Sequence, residues 1–174
     1  VYIDYIYGWC IFNRTTITNN KAPRGGGICL NKKNNDNREL ELSEGTTIIG
    51  NTSSEDGSQS NLYLHEGRKF QLRKGLTGSE RIGVSVEKTP TFADQVDIEY
   101  VNDDTLHAPA GDYSNLIIPD DDNYKVVYKN NKHWLIPKLS LVLTVEKILV
   151  SGLERAATLY VASYDGDKLL SIRT

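Results

Sequence analysis

The stretch Thr46–Leu72, TTIIGNTSSEDGSQSNLYLHEGRKFQL, decides how this chain folds. It holds three short apolar alternations, Thr47-Ile48-Ile49, Leu62-Tyr63-Leu64 and Phe70-Gln71-Leu72, parted by turns rich in Gly, Asn and Ser. Alternation over so few residues, bounded in this way, is a β-strand signal. The same parts occur in the same order upstream. Ile17-Thr18-Asn19-Asn20 matches Ile48-Ile49-Gly50-Asn51, Gly27–Leu30 matches Asn61–Leu64, and Leu40-Glu41-Leu42 matches Phe70-Gln71-Leu72, at spacings of 31, 34 and 30 residues. A degenerate repeat with three strands per unit predicts a solenoid, whose units bury their apolar faces by stacking on one another.

Bulk properties agree with that expectation. The 174 residues suffice for one domain, or one and a fraction. A hydrophobic content of 39% and a mean hydropathy of −0.44 are low for a compact two-layer domain and suit a fold with much surface per unit of core. The net charge of −3 and pI near 5.6 give no sign of a nucleic-acid or anionic-membrane partner. No apolar run approaches the ~20 residues that span a bilayer, so no transmembrane segment is expected. With no Met and no signal peptide, the chain reads as a segment of a longer protein, whose neighbouring domains are then its first partners.

Two cysteines, Cys10 and Cys29, lie 19 residues apart. Stacked in successive coils they would form a disulfide; otherwise they are two small buried hydrophobes, the simpler reading. No further ligands at zinc spacing accompany them.

Residues 1–15 are rich in aromatic and β-branched side chains, which favour strand. Thr16-Ile17-Thr18 reads as a strand, Lys21–Gly27 as a loop and Ile28-Cys29-Leu30 as the next strand. The triplet Gly25-Gly26-Gly27 permits positive φ and close backbone approach at a tight corner; no helix follows it to make a phosphate cradle. Residues 31–38 form a polar loop at another corner. Asn20 and Asn51 follow equivalent strands, and side chains so placed can bond each other's amides as an asparagine ladder.

The "TIxxN" strand followed by the "GGGI" strand resembles the coils of right-handed parallel β-helices in large bacterial adhesin-like surface proteins. The likeness extends through Asn61–Phe70, Gly75–Gly78, Ile82–Val86 and Asp122–Ile136, so it covers about residues 12–137. It implies an all-β fold: β-helix coils over residues 1–74, capping strands over 75–137, and over 138–174 a partial Ig-like β module or appended strands. In that last region Thr158–Tyr164, the turn Asp165-Gly166-Asp167-Lys168 and Leu169–Arg173 make a strand–turn–strand hairpin signature. The resemblance further implies an extracellular or cell-surface location and a non-catalytic adhesin-like or stalk function, with a glycan or host surface protein as partner. Tyr5, Tyr7 and Trp9 are the candidate stacking residues for such a ligand if they face outward; facing inward they are core.

From Asp94 to Asp122 the chain carries nine carboxylates and no Lys or Arg. A charge run on turns is ordinarily a solvated face. Asp120, Asp121 and Asp122 also offer oxygens of the kind that Ca²⁺ takes, but without the spacing of a calcium loop; no other cofactor is suggested. A glycosidase pair needs two carboxylates held about 5–9.5 Å apart, and nothing local holds these rigidly. His65, His107 and His133 stand apart from any Ser or Cys at triad spacing, and His133 is expected to pack or to lie exposed near an edge. A β-helical polysaccharide lyase or hydrolase with its active coils elsewhere is the alternative function.

Overall fold

A computed structural model describes residues 1–3, 10–31, 40–99, 106–138, 140–143, 148–151, 161–165 and 168–173. Among these residues there are strands and turns but no helix. The chain divides into two compact units, Val1–Lys138 and Leu139–Thr174.

The first unit is a parallel β-solenoid of about three turns. After β1 (Tyr2–Ile3), one turn is built from β2 (Cys10–Phe12), β3 (Thr16–Ile17), β4 (Lys21–Ala22) and β5 (Ile28–Leu30). The next is built from β6 (Leu40–Leu42), β7 (Thr47–Ile48), β8 (Thr52–Ser53) and β9 (Leu62–Leu64). Each strand stacks in parallel on its counterpart: Cys10 on Leu40, Ile17 on Ile48, Lys21 on Thr52 and Ile28 on Leu62. β10 (Gln71–Leu72) continues the stack on β6, with Gln71 beside Glu41. The register therefore reproduces the spacings read from the sequence. Each turn has four strands where the alternation pattern indicated three. The extra pair, β4 and β8, is two residues long and carries no apolar alternation, so no periodic signal marks it.

Inward-facing side chains make one continuous core. Ile28, Leu30, Leu40, Leu42, Ile48, Leu62, Phe70 and Ile82 are all fully buried. Each such side chain contributes about 1.5–3 kcal/mol through burial.

The third turn takes a shorter path. β11 (Arg81–Val86) stacks on β7 through Arg81 and Ile82 and on β9 through Val84–Val86, bridging the excursion that β8 makes in the turn beneath. Beyond it come β12 (Val96–Asp97), β13 (Ile117–Pro119), β14 (Tyr124–Lys129) and β15 (Lys132–Pro137). β13 stacks in parallel on β11, whereas β12, β15 and β14 form an antiparallel sheet. Leu135 of that sheet joins the core, and Val96 and Val126 pack against it.

The cysteines do not stack. β2 and β5 lie in different sheets, Cys10 sits beside Leu40 and Cys29 beside Tyr63, and both thiols are free. Burial pushes both thiols above their ordinary pKa.

In the second unit, β16 (Ser140–Leu143) pairs antiparallel with β17 (Ile148–Ser151), and β18 (Val161–Asp165) with β19 (Lys168–Arg173). The latter pair is the hairpin expected from the sequence; Gly166 and Asp167 lie outside the described residues.

Candidate functional site

Asn19 and Gly50 occupy equivalent corners, and both have positive φ, 59° and 70°. This left-handed step suits Asn and Gly, and after it come Asn20 and Asn51. Asn20 donates from its main-chain N–H (3.1 Å) and from its carboxamide (3.0 Å) to Asn51 Oδ1. Asn51 does the same to Asn61 Oδ1, at 2.9 and 3.0 Å, and its Nδ2 also reaches the Ile17 carbonyl at 2.9 Å. Asn61 in turn donates to Asp120, from N to Oδ2 at 2.7 Å and from Nδ2 to Oδ1 at 2.5 Å. Ser85 Oγ donates to the same Oδ2 at 2.5 Å. The expected asparagine ladder thus has four rungs, Asn20–Asn51–Asn61–Asp120, of which two were legible in the sequence. Asn61 aligns with Gly27, not with another Asn, and Asp120 lies 59 residues further on, so neither belongs to a visible repeat.

Glycine makes room for the ladder. A Cβ on Gly27 would lie 2.9 Å from Asn51 Nδ2, and one on Gly26 would lie 2.6 Å from the Thr52 carbonyl oxygen. Gly25 has φ +55°, and its N–H is bonded to Ser60 Oγ. The triplet is therefore a corner packed against the next turn. Gly83, in the middle of β11, lies directly over the third rung: a Cβ there would be 2.3 Å from Asn61 Nδ2.

The C-terminal end of the ladder opens into a cleft of about 490 Å³, lined by Asp56, Ser85, Pro119, Asp120, Asp122 and Tyr124 among others. Burial raises the Asp120 pKa, and the hydrogen bonds from Ser85 and Asn61 only partly offset it. Asp56, at the exposed rim, is held below its usual value by Ser58. Asp120 directs its carboxylate at Asn61 and Ser85, whereas Asp121 and Asp122 are exposed; Asp121 Oδ1 closes a local turn with Asn123 N–H at 2.8 Å. Among the described residues no three His, Cys, Asp or Glu side chains converge as metal ligands. A second cleft, of about 510 Å³, is lined by Lys21, Arg24, Gly26, Cys29 and His65 among others, and Arg24 stacks 5.6 Å above the Tyr63 ring.

Glu41 and Glu99 are buried among partners that the sequence does not connect. Glu41 Oε1 meets His107 Nε2 at 2.9 Å, and its Oε2 accepts from Arg73 at 2.5 Å. Glu99 bonds His133 Nδ1, and His133 Nε2 accepts the Tyr113 main-chain N–H at 2.9 Å. An Nε2 that accepts carries no proton, so the neutral ring has its proton on Nδ1, directed at Glu99. His133 is 1% exposed and belongs to the interior rather than to an edge. Asp97, Glu99 and Asp120 likewise leave the solvated face expected for the acidic run. Glu80 is fully buried and accepts four bonds, from the N–H groups of Gly45, Thr77 and Gly78 and from Thr77 Oγ1. Burial alone would raise its pKa, but these donors outweigh it and hold the carboxyl at about 2.

Tyr5, Tyr7 and Trp9 lie outside the described residues. No helix among the described residues is long and apolar enough to cross a membrane. No protein family, curated protein or solved structure matches the chain.

Proposed function

We propose that this chain is a non-catalytic module of an extracellular surface protein, adhesin-like or stalk-like, in which a short β-solenoid supports surfaces that meet a glycan or a host protein. One observation carries this reading: Glu41, Asn51, Asn61, Glu80, Glu99 and His133 are buried and spend their polar atoms on partners in the solenoid instead of converging on an open cleft. Asn51 and Asn61 are ladder rungs, Glu80 ties two corners together, and Glu99 faces His133. His133 cannot act as a general base while its Nε2 accepts the Tyr113 N–H in the interior. The same residues in a catalytic solenoid would point into a groove, with at least one atom left for the substrate.

A second reading, part of a β-helical polysaccharide lyase or hydrolase, is favoured by Asp120, a carboxyl of raised pKa beside Ser85 at the edge of a cleft. Incubation with pectins and animal glycans separates the two. The non-catalytic reading expects neither 4,5-unsaturated products nor new reducing ends; either product would overturn it. On a glycan array, retained ligands support the adhesin form, and a blank array with blank activity assays reduces the module to a spacer.

A further inference from the structure

The ladder has a direction. At every step the rung nearer the N-terminus donates two N–H groups, and the next rung accepts both: Asn20 to Asn51, Asn51 to Asn61, Asn61 to Asp120. Its two ends are therefore chemically different. At one end Asp120 closes the chain of bonds with a group that, once ionised, only accepts. At the other end Asn20 has spent its donors on Asn51 and on the Thr18 carbonyl (3.0 Å), while its Oδ1 accepts no bond from any of the described residues. Around that oxygen the parallel edges of β2, β3 and β4 end their sheets among the described strands, and the Asn20 side chain is exposed.

We infer that the solenoid end bearing Asn20 is a docking face for one further parallel β-coil, and that this coil must present an asparagine whose main-chain and carboxamide N–H groups bond Asn20 Oδ1. Two features specify this occupant. First, the layer is already begun: β1 lies on β5 as β5 lies on β9, Tyr2 beside Cys29, and the Cys29 N–H bonds the Val1 carbonyl at 2.8 Å. Second, polarity rules out the alternatives. A second copy docking head to head sets one Asn20 acceptor against another. A copy docking head to tail offers Asp120, which in its ionised form has no proton to donate. A coil with an amide rung is the partner whose donors match, and its strands also pair the open edges that otherwise invite uncontrolled association. The ladder thus acts as a one-way register, receiving coils at the Asn20 end and stopped by a carboxylate at the other. This holds whether the module binds or catalyses.

The test places a second copy of Leu40–Asn61 ahead of Val1 in the full chain, with Asn61→Gly in the copy so that its Asn51 does not spend its N–H groups within its own coil. In coil two, Asn61 precedes Leu62 as the copied position would precede Val1, so the copied Asn51 lands over Asn20. Two forms are compared, one otherwise unaltered and one with Asn51→Asp added in the copy alone. The unaltered form is expected to melt at least about 3 °C higher, since one or two hydrogen bonds move Tm by a few degrees at this size. Its added rung is expected to show slowed amide hydrogen exchange. Introducing Asn20→Leu should erase the difference between the two forms, which separates the proposed contact from any effect of Asp elsewhere in the copy. Equal melting temperatures, an added copy without protected amides, or a dimer of the unextended chain formed through this end would overturn the inference. Activity or glycan assays do not bear on it, so its failure is distinct from that of the proposed function.

Discussion

Gly83→Ala isolates the ladder from everything else in β11. Gly83 is buried and outside the positive-φ region, so its backbone conformation is open to alanine. Only the space above it is closed: the added methyl would lie 2.3 Å from Asn61 Nδ2, 2.6 Å from Cγ and 2.7 Å from Cβ. The Asn61 side chain is 3% exposed and belongs to a buried corner, so it cannot swing aside and keep its bonds. Displacing its carboxamide breaks the 2.5 Å bond to Asp120 and the two bonds that Asn51 donates, at 2.9 and 3.0 Å. Neutral bonds contribute about 1 kcal/mol each and bonds to a charged group about 1.5–3. The expected loss is therefore about 3–5 kcal/mol, a Tm lower by roughly 8–15 °C at this chain length. Urea unfolding measures it as a lower midpoint with unchanged slope. The decisive comparison is Asn61→Ala. Because both changes remove the same contacts, the double variant should be no less stable than Asn61→Ala alone. A loss below about 1 kcal/mol for Gly83→Ala, or additive losses in the double variant, would refute the steric account.

Three further outcomes follow from buried carboxylates. Glu80 has a folded pKa of about 2 against an ordinary 4.5, so its contribution is complete above pH 4.5 and is lost as pH falls towards 2. The shift corresponds to roughly 3 kcal/mol, and Glu80→Gln should flatten the acid limb of a stability–pH curve. Asp120 has the opposite sign: its pKa is raised, so stability from this group is greatest below 3.8 and declines as pH rises through the folded value. Asp120→Asn should remove that decline and retain an acceptor for Asn61, whereas Asp120→Ala should cost about 2–4 kcal/mol by leaving buried donors unpaired; equal stability of the two variants would count against the ladder end. For His133, ¹⁵N shifts are expected to report Nε2 as the accepting nitrogen and Nδ1 as the one that carries the proton. His133→Ala should cost about 3 kcal/mol or more by stranding Glu99 in the interior.

What the sequence determined by itself is local or repeated. The spacings of 31, 34 and 30 residues set the register of the stacked strands, because stacking brings chemically equivalent residues together. Asn20 and Asn51 were legible as ladder rungs and Gly25–Gly27 as a corner, because each performs its role at the same place in its own coil. The tertiary structure decided the rest. β4 and β8 are held by backbone bonds between turns, and strands of two residues are too short to carry a hydrophobic period. Asn61 with Asp120, Glu41 with His107 and Glu99 with His133 join residues 59, 66 and 34 positions apart, where the irregular third turn and its antiparallel sheet fold back on the coils. A buried acid meets its partner only through that path, and the path is set by how the apolar faces pack; the local order of residues does not encode it.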